Sequence, residues 1–175
     1  MSATIEQIEA LLKSNYDAIN EAYLPIITVI QVGVPEATTL VYNQDGGAGA
    51  YIQGQYCKTY FIADDDYEVV SISEVHENAQ TSADGASLMI SKLTGTTAPT
   101  AAVEHLLSNT AYSGIACTLH GFNLKGVAAN TVTAGTMTQV VSSLTLAAGN
   151  RLCYGINGTL NSTVITVQTM LRRIK

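Results

Sequence analysis

From residue 26 onward the chain is a train of short apolar runs, each cut off by glycine, asparagine, aspartate or proline. "IITVIQV" (26–32), "TTLVYN" (38–43), "AYIQGQY", "CKTYFIA", "YEVVSISEVHE" (67–77) and "ASLMISKL" (86–93) come first. "GIACTLHGFNL", "TQVVSSLTL", "RLCYGIN" and "TVITVQTMLRRI" follow. The runs are rich in β-branched and aromatic residues, and turn signals recur roughly every 8–12 residues, the pattern of an all-β domain. Antiparallel strands need only a short connection to reverse, so the expectation is an antiparallel β-sandwich or jelly-roll-like body. No β–α–β alternation is visible, which weighs against a nucleotide-binding α/β fold.

Details within the runs sharpen that expectation. In the last run Val164, Thr166, Gln168, Met170 and Arg172 fall on one face, and Ile165, Val167, Thr169, Leu171 and Arg173 on the other. Both faces are partly apolar, so one belongs to the core and the other to an interface or a thinly covered sheet face. In "YEVVSISEV" the apolar phase changes between Val69 and Val70, which predicts a bulge there. Gly149-Asn150 reads as a tight turn and Asn157-Gly158 as a hairpin signal, with Arg151 opening a strand beside the first turn. "APTAAVEHLLSN" (98–109) starts on a proline and carries Ala102, Val103, Leu106 and Leu107, which fits a short helix or a structured loop.

The N-terminal segment has a different period. Thr4 followed by Gln7 matches a capping box, in which the two side chains satisfy free amide groups at a helix start. Ile5, Ile8, Leu12, Tyr16, Ile19 and Tyr23 then recur at spacings of three and four, one face of a helix that Pro25 ends. Ile5, Leu12 and Ile19 are also seven apart, as in a coiled-coil seam. Such a helix can pack on its own domain. Alone it is marginal, however, which points to an arm that docks on a partner or bundles with copies of itself. The domain reading is a helical arm over residues 1–24 and a β-sandwich over residues 25–175.

Charge and composition narrow the partners. Only 13% of residues are charged, against roughly 25% in a typical soluble protein. Neutral surfaces of this kind suit a protein partly covered by other subunits. A net charge of −6 with eight basic residues leaves no basic patch for tracking phosphates, so nucleic acid is excluded as a partner. No apolar run reaches about 18 residues, the length a membrane-spanning helix requires, and no membrane partner is expected. The N-terminus has neither the basic start nor the apolar core of a secretory signal. Cys57, Cys117 and Cys153 form no C-x-x-C pair and sit in apolar settings, as expected of buried, reduced thiols.

Candidate chemistry is sparse. "ADDDYE" (63–68) gathers Asp64, Asp66 and Glu68, whose oxygens suit a hard cation such as calcium. The glycine and distant glutamate of a calcium loop are missing, and a solvated turn explains the cluster equally well. "EVHE" (74–77) puts Glu74 and His76 on one strand face with Glu77 opposite, while His105 and His120 are remote in sequence. Two nearby ligands do not make a zinc site, and surface or interface histidines are the default. A histidine set against carboxylates at an interface would make assembly depend on pH. No serine sits on a G-x-S-x-G elbow. "DGGAGAYIQG" lacks the lysine and hydroxyl of a phosphate-binding loop. We therefore expect no enzyme, no catalytic residue, no metal and no cofactor. Tyr42, Tyr51, Tyr56, Tyr60 and Tyr67 cluster in sequence and suit an interface better than a sugar-stacking face.

Three stretches of the C-terminal half carry a resemblance: "LMISKLTGTTAP", "LHGFNLKGVAANTVT" and "LTLAAGNRLCYGINGTLNSTVITVQTMLRRI". A Gly-Asn-Arg-Leu turn (Gly149 to Leu152) leads into a strand. A small-residue hairpin at Gly158, Thr159 and Leu160 follows, and a final strand from Val164 ends in basic residues at Arg173. The pattern, over about residues 86–174, resembles tailed-phage virion structural proteins, among them capsid decoration (cement) proteins, head-fibre proteins and tail-associated β-sandwiches. The resemblance implies a structural role on the virion surface, as a symmetric homo-oligomer, and supplies no catalytic residues. The partners it implies are the major capsid protein and further copies of the chain, with a trimer favoured over a dimer because it matches local three-fold positions of an icosahedral shell. Localisation would be the capsid surface, after assembly in the host cytoplasm. A head-fibre or tail module that binds host glycan is the alternative. The helix residues Ile5, Ile8, Leu12, Tyr16, Ile19 and Tyr23 are the expected docking or oligomerisation surface.

Overall fold

The chain order begins with α1 (Ile5–Ala22), β1 (Tyr23–Val32), β2 (Lys58–Ile62), β3 (Tyr67–His76) and β4 (Ala86–Leu93). Short strands follow: β5 (Glu104–His105), β6 (Asn109–Ala111), β7 (Thr118–His120), β8 (Phe122–Asn123) and β9 (Thr133–Ala134). One helical turn, α2 (Val141–Leu144), precedes β10 (Thr145–Leu146), β11 (Arg151–Gly158) and β12 (Thr163–Arg173). This is a computed structural model, and it describes residues 4–32, 58–81, 86–95, 104–111, 118–158 and 161–174. Among these residues the strands form two five-stranded antiparallel sheets, as the strand spacing predicts. One sheet runs β1-β12-β3-β10 with β9 also on β3, and the other runs β2-β11-β4-β5 with β8 also on β4. β6 and β7 pair separately. The runs "TTLVYN", "AYIQGQY" and the glycine stretch between them lie outside the described residues.

The facing sides of the sheets make the core. Tyr67, Val69 and Ile72 of β3, Ile165, Val167 and Leu171 of β12, Leu88 and Ile90 of β4, and Leu152 and Ile156 of β11 are buried in one apolar cluster. Each fully buried aliphatic side chain contributes about 1.5–3 kcal/mol relative to exposure, so this cluster dominates the fold's stability. In β12 the alternation comes out as the sequence implies: Ile165, Val167, Thr169 and Leu171 are buried, while Thr166, Gln168 and Arg172 are open or half-open. The predicted bulge is present too. Leu171 pairs with Val69 and Met170 with Ser71, which leaves Val70 without an opposite residue. That extra residue lets Val69 and Ile72 both point inward despite their odd spacing.

Gly149-Asn150 forms the expected turn, but it joins two sheets. Gly149 has φ 85°, a conformation in which glycine carries no side-chain penalty, and the Asn150 N–H donates to Ala147 O at 2.9 Å. β10 pairs with β3 in one sheet and β11 pairs with β2 and β4 in the other, so the chain crosses the sandwich here. The β2–β3 crossover runs alongside and is tied to it. Ala63 N–H donates to Asn150 O at 2.8 Å, Gly149 N–H to Ala63 O at 2.7 Å, and Ala148 N–H to Asp66 Oδ1 at 3.1 Å.

Several expectations need correction. Asn157 and Gly158 are not a hairpin turn: they pair with Ser87 and Ala86 as strand residues, and β11 and β12 belong to different sheets. "TQVVSSLTL" was expected as a strand, yet Val141–Leu144 makes a helical turn. The buried Lys92 ammonium favours it by collecting the Ser142 and Thr145 carbonyls at 2.7 and 3.1 Å near the end of that turn. Tyr23 does not continue the helix face but opens β1, opposite Arg172. A residue before proline avoids the helical region, so Leu24 is driven to extended backbone. Pro25 then sits on an edge strand, where its missing N–H is tolerated. In "APTAAVEHLLSN" Glu104–His105 form β5 and Leu106 and Leu107 are buried, with no helix among the described residues.

Candidate docking surface

The N-terminal helix begins as its sequence dictates. The Thr4 hydroxyl accepts the Gln7 N–H at 3.3 Å and the Gln7 side chain accepts the Thr4 N–H at 3.0 Å. This reciprocal cap satisfies two of the free amide groups at the helix start. α1 then runs for 18 residues, about 27 Å at 1.5 Å per residue, and passes directly into β1. Its apolar side is left open: Ile5 is 75% exposed, Ile8 48%, Leu11 62% and Leu12 63%. Of the expected surface residues, Ile5, Ile8 and Leu12 lie together on this stripe. Tyr16 and Ile19 extend it by position, their side chains outside the description. Leu11, three residues after Ile8 and beside Leu12, belongs to it although the sequence reading did not include it.

The open surface continues onto the first sheet. Among the described residues β1 is an edge strand, and Ile27 and Val29 point outward from it at 63% and 62% exposure. Across the ladder Ile27 stands opposite Gln168 and Val29 opposite Thr166, and on β3 those partners meet Ser73 and Val75. This outer sheet face is uncharged along those rungs. It is the thinly covered face that the two-sided pattern of the last strand implied.

The acidic cluster is consumed by local bonds. Asp64 Oδ1 accepts the Tyr67 hydroxyl at 2.6 Å, which holds the Asp64 carboxyl below its ordinary value and raises the Tyr67 phenol. Asp65 pairs with Arg173 at 3.2 Å and Glu68 with Arg172, whose own affinity for its proton rises through that bond. Arg173 also lies over the Tyr67 ring, 5.8 Å from its centre. The basic pair at the chain's end therefore closes on "ADDDYE", and a solvated, ion-paired turn accounts for it. Among the described residues no three His, Cys, Asp or Glu side chains gather as cation ligands.

Glu74 and His76 do share a strand face, but it is the inner one. Both are buried, with His76 Nδ1 3.1 Å from Glu74 Oε2, and Glu74 Oε1 and His76 Nε2 make no hydrogen bond. His76 is thus not the surface histidine expected. Its register opposite the buried Ile165 of β12 sets it inside. His105 Nδ1 lies 3.3 Å from Ser91 Oγ, and the His120 side chain is outside the description. A second correction concerns sulfur. Cys153 is fully buried and disulfide-bonded rather than a reduced thiol. The chain's other cysteines, Cys57 and Cys117, lie outside the described residues.

Of the clustered tyrosines, Tyr60 and Tyr67 turn inward. Tyr60 hydrogen-bonds Thr169 and burial pushes its phenol well above the usual range. Tyr42, Tyr51 and Tyr56 lie outside the described residues. No helix among the described residues is long and apolar enough to cross a membrane. Comparison of the chain with protein-family models, with curated proteins and with solved structures finds no match.

Proposed function

We propose that this chain is a virion structural protein, a capsid decoration (cement) protein that binds the outer shell and bridges neighbouring capsid subunits. The observation that carries the reading is the open stripe of Ile5, Ile8, Leu11 and Leu12 on a capped helix that leads into a sandwich with few charged residues. A shell is held by many weak contacts, and a protein that spans subunits multiplies them through effective concentration, without any chemistry of its own. The partners are the major capsid protein and other copies of the chain, and the place is the virion surface. The role needs no cofactor and no catalytic group. Asp64, Asp65, Asp66, Glu68, Glu74 and Glu104 fit it, each being engaged by a hydrogen bond or an ion pair. A glycan-binding head-fibre or tail module is less well supported, since Tyr60 and Tyr67 are not available as stacking platforms.

Co-sedimentation with capsid shells tests the proposal. The full chain should bind saturably and raise the temperature at which shells rupture. A chain lacking residues 1–22 should remain a folded sandwich and lose binding. Full occupancy by the truncated chain would overturn the reading.

A further inference from the structure

We infer that the β6–β7 hairpin is a strap over the outer face of the second sheet, fastened by a disulfide between Cys117 and Cys153 and released when that bond is reduced. Leu88 and Ile90 of β4 and Leu152 and Ile156 of β11 enter the main core. The residues between them point to the other side of the sheet. Met89, Ser91, Leu93 and Cys153 are nevertheless buried as well, at 1% exposure or less. Leu93 and Cys153 form a small apolar cluster of their own, apart from the core. Ile27 and Val29, on the outer face of the first sheet, stand open by contrast. Part of the chain therefore covers the outer side of β4 and β11, and Cys153 is disulfide-bonded beneath it.

The course of β7 identifies the cover. β7 pairs with β6, and neither strand belongs to the two large sheets. It runs through Gly121 into β8, which joins the edge of β4 with Phe122 opposite Leu88. A Cβ at Gly121 would lie 3.0 Å from Met89 Cγ, so the backbone there presses on an outward side chain of β4. Followed back from Gly121, β7 cannot keep to this edge, because β5 occupies it. His105 stands opposite Ser91, and the Leu106 N–H donates to Ile90 O at 3.1 Å. The inner side is filled by Leu106 and Phe122 of the core. β7 stays in contact with β4, which leaves the outer face of Met89, Ser91 and Leu93 as its course.

Cys117 directly precedes β7 and comes four residues before Gly121, a reach of about 13 Å in extended chain. Cys153 stands opposite Ser91, two residues and one strand from Met89, on the order of 8 Å away. Cys57 precedes β2, where the outer side is open: Thr59 is exposed although it stands opposite Cys153. The cover thus comes over β4, from β7. Closing the strap joins the two sulfurs and passes two electrons and two protons to an oxidant such as glutathione disulfide, which leaves as two thiols. A thiol reductant reverses the step through a mixed disulfide. An oxidising medium keeps the strap shut, whereas the thiol pool of a cytosol opens it and uncovers Met89 and Leu93. Neither the strap nor its release depends on shell binding.

Trypsin digestion of the unreduced, alkylated protein separates the cysteines into residues 14–58, 93–125 and 152–172. Mass spectrometry should find 93–125 joined to 152–172, with the alkylating reagent on Cys57. A link from 14–58 to 152–172, or no link, would overturn the inference. Peroxide then reads the cover, because a methionine becomes its sulfoxide where the reagent reaches it. Met89 should resist oxidation in the unaltered chain and in Cys57→Ser. In Cys117→Ser it should oxidise about as fast as the half-exposed Met170. Met89 still protected in Cys117→Ser, or open in Cys57→Ser, would refute the strap even with the bond mapped as stated. If Cys117→Ser does not fold, the peptide map of the unaltered protein decides alone.

Discussion

The Tyr60 hydroxyl meets Thr169 Oγ1 at 2.9 Å, and because Tyr60 belongs to β2 and Thr169 to β12, this hydrogen bond joins the two sheets through the interior. Thr169 is fully buried, so removing its partner leaves a hydroxyl without water. Tyr60→Phe should lower stability by about 1–2 kcal/mol. Urea unfolding of the single variants and of Y60F/T169V would show it, with the double variant losing less than the sum of the two. Additive losses would mean that the hydroxyls do not act as a pair.

The buried pair on β3 calls for a double-mutant cycle. Glu74 and His76 satisfy each other once and leave Glu74 Oε1 and His76 Nε2 unbonded. Glu74→Leu or His76→Leu alone should cost about 3–5 kcal/mol, since each strands a polar partner in the core. Replacing both by leucine should recover most of that loss. A double variant as unstable as the worse single one would show that the pair has other partners.

Alkaline pH should destabilise the protein through its tyrosines. Burial raises the phenols of Tyr60 and Tyr154, and the bond given to Asp64 raises Tyr67. A raised folded pKa means the native state holds the proton more tightly than the unfolded chain. The stabilisation is therefore complete below the usual tyrosine value of about 10 and is lost as pH climbs from there toward the folded values. Denaturant midpoints measured from pH 9 to 12 should fall steeply in the upper half of that range. Midpoints that stay level to pH 12 would contradict the burial of these rings.

Reduction should weaken the fold. With Cys153 in a disulfide, a thiol reagent added to the unfolded, unreduced chain should find one of its three cysteines, and all three after reduction. A reductant should lower unfolding free energy by about 2–4 kcal/mol. Three free thiols in the unreduced protein would remove the bond.

Most of the fold was legible because strand alternation is a local property of the chain. The Val69–Val70 phase change, the two faces of β12 and the Thr4–Gln7 cap each need only neighbouring residues, and each is present. What failed depends on distant contacts. Gly149-Asn150 and Asn157-Gly158 look alike as turn dipeptides, yet nothing local says that one links two sheets and the other lies inside a strand. Val141–Leu144 is helical in the company of Lys92, about fifty residues away. His76 looked like a surface histidine until its register opposite Ile165 placed it inside. The docking stripe was readable from Ile5, Ile8 and Leu12, whereas its exposure, and the membership of Leu11, required the helix to be seen standing clear of the sandwich.

Electron microscopy of the assembled particle that carries this chain tests the central claim most directly. Density for the β-sandwich should stand on the outer face of the capsid shell, reached through the N-terminal helix. Density confined to the tail, or a shell with no bound sandwich, would contradict it.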